Sequence, residues 1–194
     1  LEGFRRLSEC PVLLGEILDV LYYNYDRIDF VDSPVDLGFE CPLDLHCTYS
    51  RDQILAALDF MKPGTVREGT KYLPDKKTDV HFVTLNKAEK DYSPTTMYED
   101  YSINEVLFHW QSQSTTSQSS TTGQRYVNHR GMGVRELLFV REFKSGKLGA
   151  APYTFLGLAD FLSVTGSKPM NITWRLHEPI PAKYLRKTNK LVVG

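Results

Sequence analysis

The chain has 194 residues, 41% of them apolar and 12% aromatic, with 23 Lys/Arg against 24 Asp/Glu for a formal net charge of −1. That length supports one sizeable core, or a small helical module beside one mixed domain. No apolar run approaches the ~20 residues that span a bilayer and no charged-then-apolar leader opens the chain, so no membrane partner and a cytoplasmic location are expected.

The opening Leu1-Glu2-Gly3 lacks an initiator Met, as expected for a segment of a longer protein. Residues 1–60 carry 12 Asp/Glu against 4 Lys/Arg, net −8, whereas residues 61–194 carry 12 against 19, net +7. An acidic segment suits a protein neighbour and a basic one suits a polyanion. The expected organisation is an acidic helical connector over 1–60 and a basic, β-rich recognition domain over 61–194.

Pro11 to Tyr25 reads as an amphipathic helix, with Leu14, Ile17, Leu18, Leu21 and Tyr22 at three- and four-residue intervals. Arg27 to Pro42 reads as extended, broken by Pro34, Gly38 and Pro42. Ser50 is placed to cap a second short helix with Gln53 as its capping-box partner, and Ile54, Leu55, Leu58 and Met61 fall on one face. Cys10, Cys41 and Cys47 are odd in number without Cys-x-x-Cys spacing, which predicts reduced thiols. Cys41, His46 and Cys47 supply three of the four ligands a structural zinc site needs, so no metal is expected there.

From Gly69 the period becomes that of strands. They are expected at Lys71 to Leu73, Val80 to Leu85, Ile103 to Gln111, Val134 to Phe143, Tyr153 to Leu158 and Met170 to Leu176, with turns at Lys144 to Gly149 and Thr165 to Pro169. The expected fold class is α+β: short N-terminal helices followed by a mostly antiparallel, curved sheet or small pseudobarrel.

Catalytic motifs are weak. Gly64 to Lys71 has the glycine spacing of a phosphate-binding loop, but Thr70 precedes Lys71 and a strand follows, so Val66 and Arg67 read as linker. Glu142-Phe143-Lys144 ends an apolar strand in the manner of metal-dependent nucleases, with Asp75 and Asp100 as completing acids. That is the alternative functional reading. His81, His109, His129 and His177 have no nucleophile beside them. No catalytic residue, metal or cofactor is expected.

Every side chain from Gln111 to Gln124 is Gln, Ser, Thr or Gly. Such a stretch has no core of its own, and amides and hydroxyls donate to phosphates and read base edges. Arg125 to Lys147 follows with six Lys/Arg against Glu136 and Glu142, net +4. Tyr101, Phe108, Trp110 and Tyr126 interleave aromatic faces suited to stacking. The nucleic-acid contacts expected are Trp110, Gln111 and Gln113 near bases, Arg125, His129, Arg130 and Arg135 on phosphates, and Tyr126 among them. Lys183, Arg186, Lys187 and Lys190 form a second basic cluster.

The blocks Lys77 to Lys87, Tyr92 to Tyr101, Phe108 to Gln113, Gly123 to Tyr126 and Tyr153 to Gly157 together resemble an uncharacterised bacterial domain of unknown function. That domain lies at the C-terminus of DEAD/DEAH-type superfamily 2 helicases, whose chains often carry a phospholipase-D-like nuclease domain upstream. The resemblance runs from about Pro42 to Lys190, and Pro11 to Phe39 is similar to the helical connector before it. It implies an accessory domain of an ATP-dependent DNA-processing protein in restriction or antiphage defence, and with the polar run and the basic stretch the leading expectation is a non-catalytic DNA-recognition domain. The partners implied are DNA and the helicase body of the same parent chain. Besides the Glu142/Lys144 nuclease, a protein-interaction module is the remaining alternative.

Overall fold

The computed structural model describes residues 2–25, 33–86, 100–146, 149–182 and 184–185. They fall in two compact units, Leu1–Ser33 and Pro34–Gly194. The first contains α1 (Glu2–Ser8) and α2 (Pro11–Tyr25), the latter with the bounds that its apolar periodicity predicts. Val12, Leu13, Ile17, Leu18, Val20, Leu21, Tyr22 and Tyr23 of α2 are exposed. No helix among the described residues is long and apolar enough to cross a membrane.

In the second unit, α3 (Arg51–Ala57) begins at the expected capping box. Gln53 N–H donates to Ser50 Oγ at 3.2 Å, and Ser50 N–H donates to Gln53 Oε1 at 2.8 Å. Ile54, Leu55 and Leu58 are buried as expected, but Met61 is exposed. The helix ends at Ala57 and the chain turns at Asp59, whose φ is 59°, so the helical period no longer holds at Met61.

The strands are β1 (Thr48–Tyr49), β2 (Thr70–Leu73), β3 (Thr78–Asn86), β4 (Tyr101–Ser102), β5 (Leu107–Gln111), β6 (Arg135–Phe143), β7 (Ser145–Gly146), β8 (Gly149–Ala150), β9 (Tyr153–Thr165) and β10 (Asn171–Leu176). The main sheet runs β2-β3-β6-β9-β10-β5-β4 with β1 beside β9, while β7 and β8 form a separate ribbon. Every pairing is antiparallel except β3 with β6. The fold is therefore the α+β, curved and mostly antiparallel arrangement expected, and the sheet does not close into a barrel. Its curl is nonetheless strong. His81 on β3 and Trp110 on β5, with β6, β9 and β10 between their strands, have ring centroids 4.6 Å apart.

The strand expected over Ile103 to Gln111 is instead a hairpin. Asn104 Oδ1 accepts the N–H groups of Val106 and Leu107, and Ile103 N–H returns to Leu107 O, an Asx-type turn that the apolar residues around it conceal. β9 runs past Leu158 to Thr165 because its second half pairs with β10. Two helices, α4 (Thr121–Val127) and α5 (His129–Met132), occupy a stretch with no helical apolar period.

Two cores sit on the two faces of β3 and β6, in keeping with the period-two alternation of strand side chains. Val80, Phe82, Leu137 and Phe139 pack with Ile54, Leu55 and Leu58 of the α3 segment. Residues 34–60, acidic by composition, thus help to build the sheet's own core. Val83, Leu138, Val140 and Leu156 pack on the other face with Trp110, Tyr126, Ile172 and Trp174.

Candidate functional site

At the C-terminal ends of β3 and β6 lies a cavity of about 960 Å³, within the usual size of ligand sites. Phe82, Val83, Trp110 and Tyr153 supply its apolar surface, and Ser50, Thr70, Thr84 and Thr115 supply hydroxyls. Arg51, Arg67, Arg141 and Lys144 line it against two carboxylates, Glu68 and Asp100. Gln111 and Gln113 complete the amide edge.

Arg51 and Arg141 are held in place by the aromatic surface. The Arg141 guanidinium carbon lies 4.4 Å from the Tyr153 ring centroid, while that of Arg51 lies 4.9 Å from Phe82 and 6.0 Å from Tyr153. Arg51 also donates to Val66 O at 3.1 Å and to the Tyr153 hydroxyl at 3.2 Å. Arg141 donates to Thr84 Oγ1 at 2.9 Å and to Ala151 O at 3.2 Å. Aromatic stacking and a fixed fork pre-organise a guanidinium in a way a lysine does not reproduce. Both side chains are half-buried. Among the described residues no carboxylate forms an ion pair with either. Glu68 accepts from its own backbone N–H and from that of Arg67, which holds its carboxyl below the usual range. Asp100 accepts from Gln111 N–H at 2.9 Å.

Trp110, Gln111 and Gln113 are the expected contact residues that reach this cavity. Trp110 is largely covered, and Gln111 Nε2 donates to Asn171 Oδ1 at 2.7 Å. The other five lie elsewhere. Arg125, on α4, forms a two-pronged ion pair with Asp79 and stacks on Tyr72 with its guanidinium carbon 4.0 Å from the ring centroid. Tyr126 is buried edge-on against Trp110 and Trp174. His129 is buried, with Nδ1 donating to Val134 O and Nε2 accepting from Phe161 N–H, a pairing that fixes the neutral ring. Burial pushes its pKa down, against that backbone bond and Asp160. Arg130 is exposed and pairs with Asp160 at 2.5 Å. Arg135 donates to Lys76 O at 3.3 Å and lies over Phe39.

Arg51 and Arg67 were not legible as site residues. One reads as the first turn of a helix and the other as linker, and only the curl of the sheet brings them beside Arg141 and Lys144. Lys183, Arg186, Lys187 and Lys190 lie outside the described residues, as do Tyr92 to Glu99 and Lys147.

The polar run has partners within the chain. Met170 N–H donates to Ser112 Oγ, Gln118 Nε2 to Gly166 O, Lys168 N–H to Thr116 O and Gln124 Nε2 to Gln118 O. Ser120 caps α4, accepting from Gly123 N–H at 3.1 Å. Gln113 and Thr115 still line the cavity.

Beneath this region, two titratable pairs cross the β3–β6 seam. Asp79 stands opposite Glu136 in register, and His81 Nε2 lies 2.6 Å from Glu136 Oε2 with both side chains fully buried. Burial pushes His81 down to about 3, helped by the positive Arg125. It pushes Glu136 well above its usual range, with Asp79 adding to the rise. Burial thus favours the neutral form of each, an arrangement in which the Glu136 carboxyl donates to His81 Nε2. Burial also raises Asp79, against the lowering by Arg125.

Glu142 lies next to Arg141 on β6 but is not part of the cavity lining, whereas Lys144 is. Asp75 is exposed in the turn after β2 and Asp100 bonds Gln111. Among the described residues no three His, Cys, Asp or Glu gather as metal ligands. Cys10, Cys41 and Cys47 form no disulfide among the described residues.

No curated protein matches the chain. A family described as "Domain of unknown function (DUF3427)" matches residues 43–187, three-quarters of the chain, and the chain belongs to that family.

Proposed function

We propose that this domain is a non-catalytic DNA-recognition module and that the cavity at the ends of β3 and β6 is where nucleic acid engages. The observation that carries this reading is the pair Arg51 and Arg141. Two half-buried guanidiniums, fixed by Phe82 and Tyr153 and without a paired carboxylate among the described residues, favour a polyanion over a neutral ligand. Arg67 and Lys144 widen the cationic rim, and Gln111 and Gln113 supply the neutral donors and acceptors that base edges need. Phosphate contacts hold the strand and amides read it.

The resemblance seen in the sequence supports a parent that is an ATP-dependent helicase or restriction-type protein, with the acidic N-terminal helices docking on its helicase body. The exposed apolar residues of α2 support such docking, since aligned apolar side chains favour burial against a partner.

Fluorescence anisotropy with labelled duplex and single-stranded DNA tests the assignment. Arg67 and Lys144 are exposed, so the double variant Arg67→Ala/Lys144→Ala retains the fold and is expected to weaken binding by about tenfold. Arg130→Ala, which touches the Asp160 pair and not the cavity, is expected to leave affinity unchanged. The reverse pattern would move the interface to the surface around α5. No binding to either DNA would favour the protein-interaction alternative.

A further inference from the structure

The cavity is a recess, and a recess suits a different part of a nucleic acid from a ridge. Duplex DNA presents its base edges in grooves that a protruding helix, strand or loop enters. A pocket of about 960 Å³ cannot read those edges in place, but it has room for a nucleotide that has left the stack. Its lining also separates into two chemistries.

The first is an anion site. A guanidinium carries five N–H donors. Arg51 spends two on Val66 O and the Tyr153 hydroxyl, and Arg141 spends two on Thr84 Oγ1 and Ala151 O. Among the described residues, three N–H groups remain on each. Both planes are anchored against Tyr153, so little rotamer freedom is lost when an oxyanion arrives. The second chemistry is the wall of Trp110, Gln111 and Gln113, an indole and two amides, which suits the face and edge of a heterocycle.

We propose that the cavity accepts a single unpaired nucleotide, with its phosphate on Arg51 and Arg141 and its base against the Trp110, Gln111 and Gln113 wall. This rests on the nucleic-acid reading above and narrows it. The domain would select a bulged, mismatched or terminal nucleotide over one held in a matched pair. Extrusion then sets the selectivity, because unpairing and unstacking cost least where a base is already unpaired. A free mononucleotide offers the same phosphate-and-base chemistry, so both sources belong in the test.

The full chain is titrated with a labelled matched duplex and with the same duplex carrying one bulged nucleotide. Unlabelled 5′-deoxynucleoside monophosphates and the corresponding nucleosides serve as competitors. The expected result is binding of the bulged duplex about tenfold or more tighter than the matched one, with competition by monophosphates and none by nucleosides. Arg141→Lys and Arg51→Lys retain charge but lose the fork, and each is expected to remove most of that preference while thermal melting remains cooperative. Gln113→Ala gives a second handle, since it sits at the cavity edge away from the sheet core. It is expected to change which base is preferred and to leave the phosphate dependence in place.

Equal affinity for bulged and matched duplexes, lost together in the arginine variants, would overturn the unpaired-nucleotide proposal while leaving DNA recognition standing. Competition by nucleosides as strong as by monophosphates would overturn the phosphate assignment. Binding of monophosphates with no binding of either duplex would support the nucleotide site and overturn DNA recognition. Silence from every probe would overturn both.

Discussion

Between Glu136 Oε2 and His81 Nε2, 2.6 Å apart and shielded from water, burial favours the neutral form of each partner. The two titrations act in opposite directions on stability. In the unfolded chain His81 takes a proton near 6.5, whereas the folded ring does so near 3. Its contribution is therefore present above pH 6.5 and is lost as the pH falls toward 3. Glu136 has an ordinary value of 4.5, raised well above that by folding. Its contribution is complete below 4.5 and is lost as the pH rises toward the folded value. Glu136→Gln keeps a donor to His81 Nε2 and removes the carboxyl titration, leaving that of the imidazole in both proteins. The difference in melting temperature, variant minus parent, should be more positive at about pH 8 than at about pH 5. Equal differences at the two pH values would mean that Glu136 is ionised inside the fold. The pair also marks where sequence reading ended at this scale. His81 reads as a partly buried strand histidine, but its carboxyl partner is 55 residues away, and only the parallel register of β3 with β6 brings them together. Arg125 is a similar case. Its place in a basic stretch points to phosphate, whereas across 46 residues it meets Asp79.

At the scale of elements, legibility followed apolar period and cap chemistry. The α2 bounds and the Ser50/Gln53 box are local signals, and both are present in the structure. α4 has neither an apolar stripe nor a flanking proline, so the Ser/Thr/Gln run around it conceals the helix. Ser120, three residues before Gly123, was its one cap signal. Gly123 is where that run closes on itself. A Cβ there would overlap the Ser117 carbonyl oxygen and reach 3.0 Å from Met170 Sδ. Gly123→Ala gains helix propensity worth about 1 kcal/mol, but backbone overlap of this kind costs roughly 1–3 kcal/mol. Net destabilisation is expected, read as a lower urea midpoint, with the contacts between Gln118 and Gly166 and between Thr116 and Lys168 loosened first. A variant as stable as the parent would show that the polar run is not packed against α4.

Across the whole molecule, the composition conveyed a charge division but not its geometry. The basic residues were read as one stretch from Arg125 to Lys147, whereas the sheet's curl distributes them. Arg141 and Lys144 join Arg51 and Arg67 at the cavity, while Arg125, Arg130 and Arg135 serve contacts elsewhere. No periodicity carries that sorting, because it depends on strand order. If the four cavity cations each displace a counterion from duplex DNA, the logarithm of affinity should fall with the logarithm of salt at a slope of about −3 to −4. A titration series from low to moderate salt measures it. A flat response would exclude phosphate contact as the source of affinity.

The parallel seam also has a kinetic consequence. β3 and β6 are buried on both faces, and each contributes to both cores and to the cavity. Their register joins residues as far apart as Thr78 and Arg135, with β4, β5, α4 and α5 strung between them. Neither core can close until that long excursion has returned, so loop-closure entropy falls on the step that creates both. The domain should accordingly fold late and slowly for its size, exposing apolar strands while it waits. Growing from a ribosome, it would gain its cavity only after β6 had emerged.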